Sequence, residues 1–395
     1  MAADAASTLT TEKGARQMLA MKEKSFSFNL QRFNDASGIA GIESTLSNGD
    51  LLVYARNLAL PKNYLHTILF PPEEVIELSV DVIKSKAKLP VMAQIAALGT
   101  ETTYGSRETP EAQRIELPKI QRGRWMNEKD VRLLLTAGLR PLEIQQLRNT
   151  YFADARYAVE AIQARREWIA LQAVSTGQVN YSEGDVQVNV DFAYTADQKP
   201  VLSGTDMWSD AVNSNPIEDI RTWLGTFEDK GILLTRALTS RKVIGYLLQN
   251  EKIRKLYYSH MMDSSKLPQL SENQLNELFA AQNLPKVFSY NVQARTENKA
   301  LTNGQVTYSN VRMTPENRFI LLPEEPLGNL VWAKTTEELG AGDLGIDGVE
   351  QADAGIFVFR DVQSKHPIRV RTIGVNLAFP AFALNNEVVS ATVCD

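Results

Sequence analysis

The chain has 395 residues, 44% hydrophobic and 23% charged, which is long enough for two or three domains around a sizeable core. A formal net charge of −5 excludes a protein that grips nucleic acid through its overall field, although weak local contact remains open. The single cysteine, Cys394, excludes an internal disulfide, and the first residues lack a signal-peptide core; the expectation is a soluble protein made in a reducing cytoplasm.

Residues 1–50 are rich in Ser, Thr, Asn and Lys, with Phe26, Phe28 and Phe33 as their only compact apolar cluster. Two readings stand open there: a partly disordered tail, or an arm that becomes ordered against a neighbouring copy. Next come "LLVYARNLAL" and "EEVIELSVDVI", broken by Pro61, Pro71 and Pro72; the second alternates and reads as a strand. From 84 to 124 the composition shifts to Gly, Pro, Thr and charges of both signs. Strand-like ends, "KLPVMAQI" and "QRIELPKIQ", flank the polar tip "GTETTYGSRETPE", as in a long two-stranded excursion. Taken alone, so charged a segment is a solvated loop; as a hairpin it would need a surface to lie on.

A short helix over "MNEKDVRLLLTAG" precedes the most distinctive element. Pro141 suits a first helical turn, and no further Gly or Pro occurs before Gly177, the residue type expected just past a helix end. The helix 141–176 therefore has about 36 residues and a length of roughly 54 Å, far above the usual dozen residues. Ile144, Leu147, Tyr151, Ala155, Ala158, Ile162, Ile169 and Ala173 form one stripe at helical spacing. Trp168 and Leu171 lie off it, so the last turns should be buried on several sides, while Arg165, Arg166 and Glu167 should mark a part still near a surface or a neighbour.

Beyond Gly177, "QVNYSEGDVQVNVDFAY" reads as a hairpin turning at 183–185. A helix follows with Asn215 as cap and Pro216 in its first turn. "GILLTRALTSRKVIGYLLQNEKIRKLYY" gives a buried strand and a helix, and "SENQLNELFAAQNL" a helix opening at Ser271. Residues 286–313 give two strands around Asn303-Gly304, and "NRFILLPEE" gives another strand. The alternation from 231 to about 335 is that of a compact α/β unit. The last section is one long strand region bent near Pro380, a turn at Asn385-Asn386 and a final strand.

Catalytic signals are missing. His66, His260 and His366 have no metal-ligand spacing, and no nucleophile elbow, phosphate loop or zinc-protease helix occurs. Glu73-Glu74 and Glu324-Glu325 flank prolines in what read as exposed loops. "GAGDLG", Gly340 to Gly345, fits a dinucleotide-binding pattern with Asp361 beyond it, but "AKTTEEL" is no preceding strand and "IDGVEQADAG" no following helix. No catalytic residue, cofactor site or metal site is expected, which shifts weight to structural or binding roles.

The order of these elements resembles the major capsid proteins of tailed phages, most closely the lambda-type major capsid protein E family. The resemblance is carried by "EWIALQAVSTGQV" (167–179), "VNVDF" (188–192), "MWSDAVNSNPIEDI" (207–220), "FILLPEEPLGNLVWA" (319–333) and "PIRVRTIGVNLAFPAFALNNEVVSATV" (367–393). It implies a mixed α+β chain with the Hong Kong 97-like capsid fold. Residues 1–65 would be the N-terminal arm, 84–124 the extended loop, and 66–83 with 125–230 the peripheral domain around spine helix 141–176. Residues 231–340 would be the axial domain, 341–378 the peripheral loop and long strand, and 379–395 the strands returning to the axial domain. The implied role is the head shell of a double-stranded DNA phage, assembled in the host cytoplasm from hexamers and pentamers. The implied partners are a portal protein, a decoration protein, a separate scaffolding protein (residues 1–65 are too short to include one) and packaged DNA held by weak contact. No lysine–asparagine crosslink can be placed. Arg107, Glu111, Arg114, Glu116, Arg122 and Arg124 are the candidates for setting register between subunits. The alternatives are a bacterial nanocompartment shell, distinguished by protein cargo, and an α/β enzyme using the "GAGDLG" loop.

Overall fold

The computed structural model describes residues 64–84, 111–126, 128–135, 141–183, 186–259, 267–299, 306–341, 348–352, 354–363 and 369–395. Contacts divide the chain into two units, residues 1–47 with 127–148, and residues 48–126 with 149–395. The larger unit begins with one helical turn, α1 (His66–Leu69), followed by β1 (Pro72–Val75), β2 (Ser79–Lys84), β3 (Glu111–Glu116) and β4 (Lys119–Trp125). The smaller holds α2 (Glu128–Leu135) and the start of α3 (Pro141–Thr176), whose later residues belong to the larger unit.

The helix α3 has the bounds its punctuation predicts. Proline at its first position has no N–H to orphan. At the other end Gly177 adopts φ 70°, and its N–H bonds Ala173 O at 3.0 Å. The Tyr194 hydroxyl donates to Val174 O at 3.1 Å, supplying one of the last-turn carbonyls with a partner. Ala155, Ala158, Ile162, Ile169 and Ala173 are buried as the stripe requires, and so are Ala170, Leu171 and Val174. The final turns are thus enclosed on several faces.

After α3 comes a hairpin of β5 (Gln178–Glu183) and β6 (Val186–Asp191), paired from Gln178↔Asp191 to Glu183↔Val186. Helix α4 (Pro216–Glu228) begins after Asn215, which occupies the cap position without a side-chain bond. Strand β7 (Arg236–Thr239) leads into α5 (Arg241–Gln249) and α6 (Glu251–Tyr257), and α7 (Glu272–Ala281) opens with a capping box of Ser271 and Gln274. The strands β8 (Lys286–Ser289), β9 (Gln293–Lys299), β10 (Val306–Arg312), β11 (Arg318–Leu322) and β12 (Asn329–Ala333) precede the short helix α8 (Thr336–Leu339). The chain ends with β13 (Gly348–Ala352), β14 (Ile356–Gln363), β15 (Arg369–Ala381) and β16 (Val389–Thr392).

Two sheets organise the larger unit. One runs β16-β11-β7-β8, with the β7–β8 pair parallel. Its Phe319, Leu321, Ala237 and Val287 face a core completed by Trp208, Trp223 and Phe227, and by Leu275 and Phe279 of α7. Trp208 stacks on Trp223 at 5.9 Å and meets Phe319 edge-on at 4.9 Å. Its indole N–H donates to Asp219 at 2.9 Å, so the large ring is buried without an orphaned donor. Each such side chain contributes about 2–3 kcal/mol through burial. The second sheet runs β1-β12-β15-β14-β13, with β4 also on β15. The length of β15 gives it three antiparallel partners: β14 along 369–375, β4 along 371–377 and β12 along 377–381. Ala158 and Ile162 of α3 lie over its Gly374.

The structure departs from the sequence expectations at several points. "EEVIELSVDVI" is two strands, since β1 joins β12 in the large sheet while β2 turns away to pair with β3. The bend between them leaves Ile76 and Leu78 exposed, which the alternation alone had concealed. "QRIELPKIQ" splits likewise at Leu117-Pro118 into β3 and β4. The helix after β7 is two helices, because the Asn250 side chain accepts from Lys252 and Ile253 N–H and starts a new one. Residues 286–299 form two strands interrupted at Tyr290. Glu73-Glu74 lie in β1 rather than a loop. The segments 1–63 and "KLPVMAQI" (88–95) lie outside the described residues, as do His260, His366 and the tip (99–111) except Glu111, which opens β3.

Candidate assembly surface

Strands β2 and β3 form a two-stranded ladder, paired from Ser79↔Glu116 to Lys84↔Glu111. It pairs with no other described strand, so among the described residues neither of its edges has a strand partner. Val82, Ile115 and Leu117 are buried, while Arg114 and Glu116 are exposed. The Arg114 guanidinium donates to Ser79 Oγ at 2.7 Å, a bond across the ladder. Arg107 lies outside the described residues; Glu111 stands at the far end of the ladder opposite Lys84.

Arg122 and Arg124 occupy a different setting. Their strand, β4, is part of the large sheet, and both side chains reach Tyr157 of α3. Arg122 donates to the Tyr157 hydroxyl at 2.8 Å and pairs with Glu297 of β9. These partners hold its proton more firmly than usual despite partial desolvation, which is the largest effect and opposes them. Arg124 lies 3.5 Å over the Tyr157 ring and 3.7 Å from Asp154. Of the six charges expected to act together, Arg114 and Glu116 lie on the ladder, whereas Arg122 and Arg124 have partners within the chain.

Glu167 and Arg166 also differ from expectation. Both are buried rather than near a surface, because each finds partners on elements far away in sequence. The Glu167 carboxylate accepts from Leu65 N–H at 3.0 Å, His66 N–H at 2.8 Å, His66 Nδ1 at 2.7 Å and the Tyr290 hydroxyl. Burial first, then the Glu167 charge, pushes the Tyr290 hydroxyl far up, so it stays a donor. Arg166 donates to Asn376 Oδ1 at 2.9 Å and to Ala354 O; Asn376 in turn donates to Gly355 O at 2.8 Å. Arg165 is half-buried, over the Trp168 and Tyr181 rings. The end of α3 is thus joined through Glu167 to the segment before α1 and the link after β8, and through Arg166 to the β13–β14 turn. His66, the one described histidine, is structural.

Among the described residues no group of three His, Cys, Asp or Glu side chains could hold a metal, and no helix is long and apolar enough to cross a membrane. The element before "GAGDLG" is the four-residue helix α8, not a strand, and residues 342–347 lie outside the described residues. Asp361 pairs with Arg371 across β14 and β15.

The described residues thus form a mixed α+β structure with a long helix on a sheet and a two-stranded ladder that joins no other described strand. In fold the chain is similar to the putative capsid protein of a prophage of E. coli CFT073, at 15% identity and a TM-score of 0.54, over 88% of this chain and 98% of that one. It is also similar to a phage-related protein of Bordetella bronchiseptica RB50 (11% identity, TM-score 0.49, 87% and 96% covered). A third likeness is to the capsid of cyanophage A-1(L) (13%, 0.44, 86% and 94%). No curated protein matches the sequence. Residues 49–393 match the phage major capsid protein E family, and the chain belongs to it. It is a major capsid protein of a tailed phage with the Hong Kong 97-like fold; copies of it form the icosahedral shell of the virion, and it is not an enzyme.

Proposed function

We propose that the β2–β3 ladder is the base of an extended loop that reaches a neighbouring subunit and fixes its register in the shell. The observation that carries this is a charged two-stranded ladder with no further strand partner among the described residues, on which a second copy can lie. Arg107, Glu111, Arg114 and Glu116 are the charges offered to that neighbour, while Arg122 and Arg124 anchor the returning strand β4 on α3. In this reading residues 1–65 are the N-terminal arm, and 66–83 with 125–230 the peripheral domain with α3 as its spine. Residues 231–340 are the axial domain, 341–378 the peripheral loop and long strand, and 379–395 the return strands. Family membership supports hexamers and pentamers as the building units, with scaffolding, portal and decoration proteins as partners. An acidic net charge of −5 suits a container whose DNA must slide rather than stick.

The test replaces residues 85–110 with a short Gly-Ser turn, leaving the ladder intact. The subunit should fold with unchanged circular dichroism, yet electron microscopy should show no closed shells. Closed shells of normal size from this variant would overturn the loop's role.

A further inference from the structure

The sheet β16-β11-β7-β8 has a second face. Opposite its core residues, the register brings Leu238 beside Ile320 on one side and Phe288 on the other. Over the β7–β8 end lies an open groove of about 730 Å³, lined by Leu65, Ile68 and Leu69 at α1, by Leu238 and Leu322, and by Phe288 and Val292. Ile68 and Phe288 remain 57% and 47% exposed, so the groove is apolar and unfilled by the described residues. Its rim is basic: Arg236 and Arg241 line it, and Lys286 lies 5.2 Å over the Phe288 ring. The Arg236 guanidinium is held by Pro323 O and Glu325 O, with Glu324 nearby. The Arg241 side chain makes no ion pair among the described residues.

The complementary shape stands a few residues along the chain. The bend between β1 and β2 presents Ile76, 100% exposed, and Leu78, 61% exposed, on either side of Glu77, with Glu73 and Glu74 just before them. Glu74 lies 3.8 Å from Lys334 and Glu73 accepts from Asn329, whereas Glu77 has no ion-pair partner among the described residues. Because Ile76 is fully exposed, it does not fill its own groove. We propose that the Ile76–Glu77–Leu78 knuckle of one copy seats in the α1–β8 groove of the next, with Glu77 against Arg241. The match is of apolar bulk to apolar groove and of acid to basic rim. Such a contact joins two different patches, so it is heterologous and repeats around a ring when the rotation closes. The inference rests on the shell role already established for the family.

The test uses assembled particles. Cys394 is buried, so cysteines introduced as I76C and F288C have a quiet background. Mild oxidation of I76C/F288C particles should give a series of covalent oligomers on a denaturing gel, and mixed particles of the two single variants should stop at dimers. Intact particles without interchain bonds would overturn the contact. In a second arm, E77R and R241E should each raise the concentration needed for assembly about tenfold, and the double variant should return it to within about twofold of wild type. A double variant no better than the worse single would also overturn the proposal. Failure of the wild-type chain to form particles would instead contradict the shell role itself.

Discussion

Glu167→Ala removes the acceptor at the centre of the junction between α3, the segment before α1 and the link after β8. Four donors converge on that carboxylate: Leu65 N–H, His66 N–H, His66 Nδ1 and the Tyr290 hydroxyl. Glu167 and His66 are both 0% exposed, so water cannot replace the lost oxygen without the region opening. Each orphaned buried donor costs about 1–3 kcal/mol, but partial relaxation keeps the total below the sum. Breaking a buried charged network by removing one partner typically costs about 3–5 kcal/mol, and about 4 kcal/mol is expected here. Glu167→Gln preserves shape and one acceptor oxygen, yet sets an amide N–H₂ against a donor; about 2 kcal/mol is expected. Urea unfolding of the unassembled subunit measures both, and hydrogen exchange should show faster exchange at Leu65 and His66 in either variant. A Glu167→Ala subunit within 0.5 kcal/mol of wild type, with those amides still protected, would refute the reasoning.

Two further outcomes follow from the same structure. Gly355 has φ 75°, and a Cβ there would come within 2.2 Å of the Trp332 ring, so Gly355→Ala should destabilise by about 3 kcal/mol or more in denaturant titration. At Asp210 the Asn213 backbone N–H, then its side chain and the Val212 N–H, hold the carboxyl below its ordinary value of 3.8. Asp210 therefore adds stability above that value and loses it as pH falls through the lowered native one. Asp210→Asn should be less stable than wild type at pH 7, with the gap closing in thermal melts taken at progressively more acid pH.

How far the fold is legible in sequence depends on whether the cause is local. The bounds of α3 were readable because Pro141 and Gly177 act through their own backbone geometry, and Ser271 announced α7 by an equally local side-chain cap. The division of "EEVIELSVDVI" was not, because its two halves are assigned to different sheets by β12 and β3, partners that alternation cannot name. The candidate surface divides likewise. Charge and turn composition marked the excursion bounded by β2 and β3, but Arg122 and Arg124 looked equally free until Tyr157, Glu297 and Asp154 were placed around them. Arg166 and Glu167 were misjudged for a physical reason: charged residues are rarely buried unless paired, and their partners, Asn376, Ala354, His66 and Tyr290, lie about a hundred residues or more away along the chain. The "GAGDLG" match shows the reverse case, a local pattern already set aside in the sequence for want of a strand before it, and α8 stands there in the structure.

The placement of β15 and β16 also bears on when the chain can fold during synthesis. One occupies the middle of the large sheet, with β14, β4 and β12 on its flanks; the other edges the second sheet beside β11. Both come from residues 369–392, after every other described strand has left the ribosome. Until then β4 and β12 each wait for a neighbour made about 250 and about 50 residues later, the kind of distant pairing that slows folding. A prematurely terminated polypeptide would therefore lack the strand that joins its largest sheet. It could present few of the surfaces on which a growing lattice depends, so defective copies would be sorted out before incorporation, by topology alone.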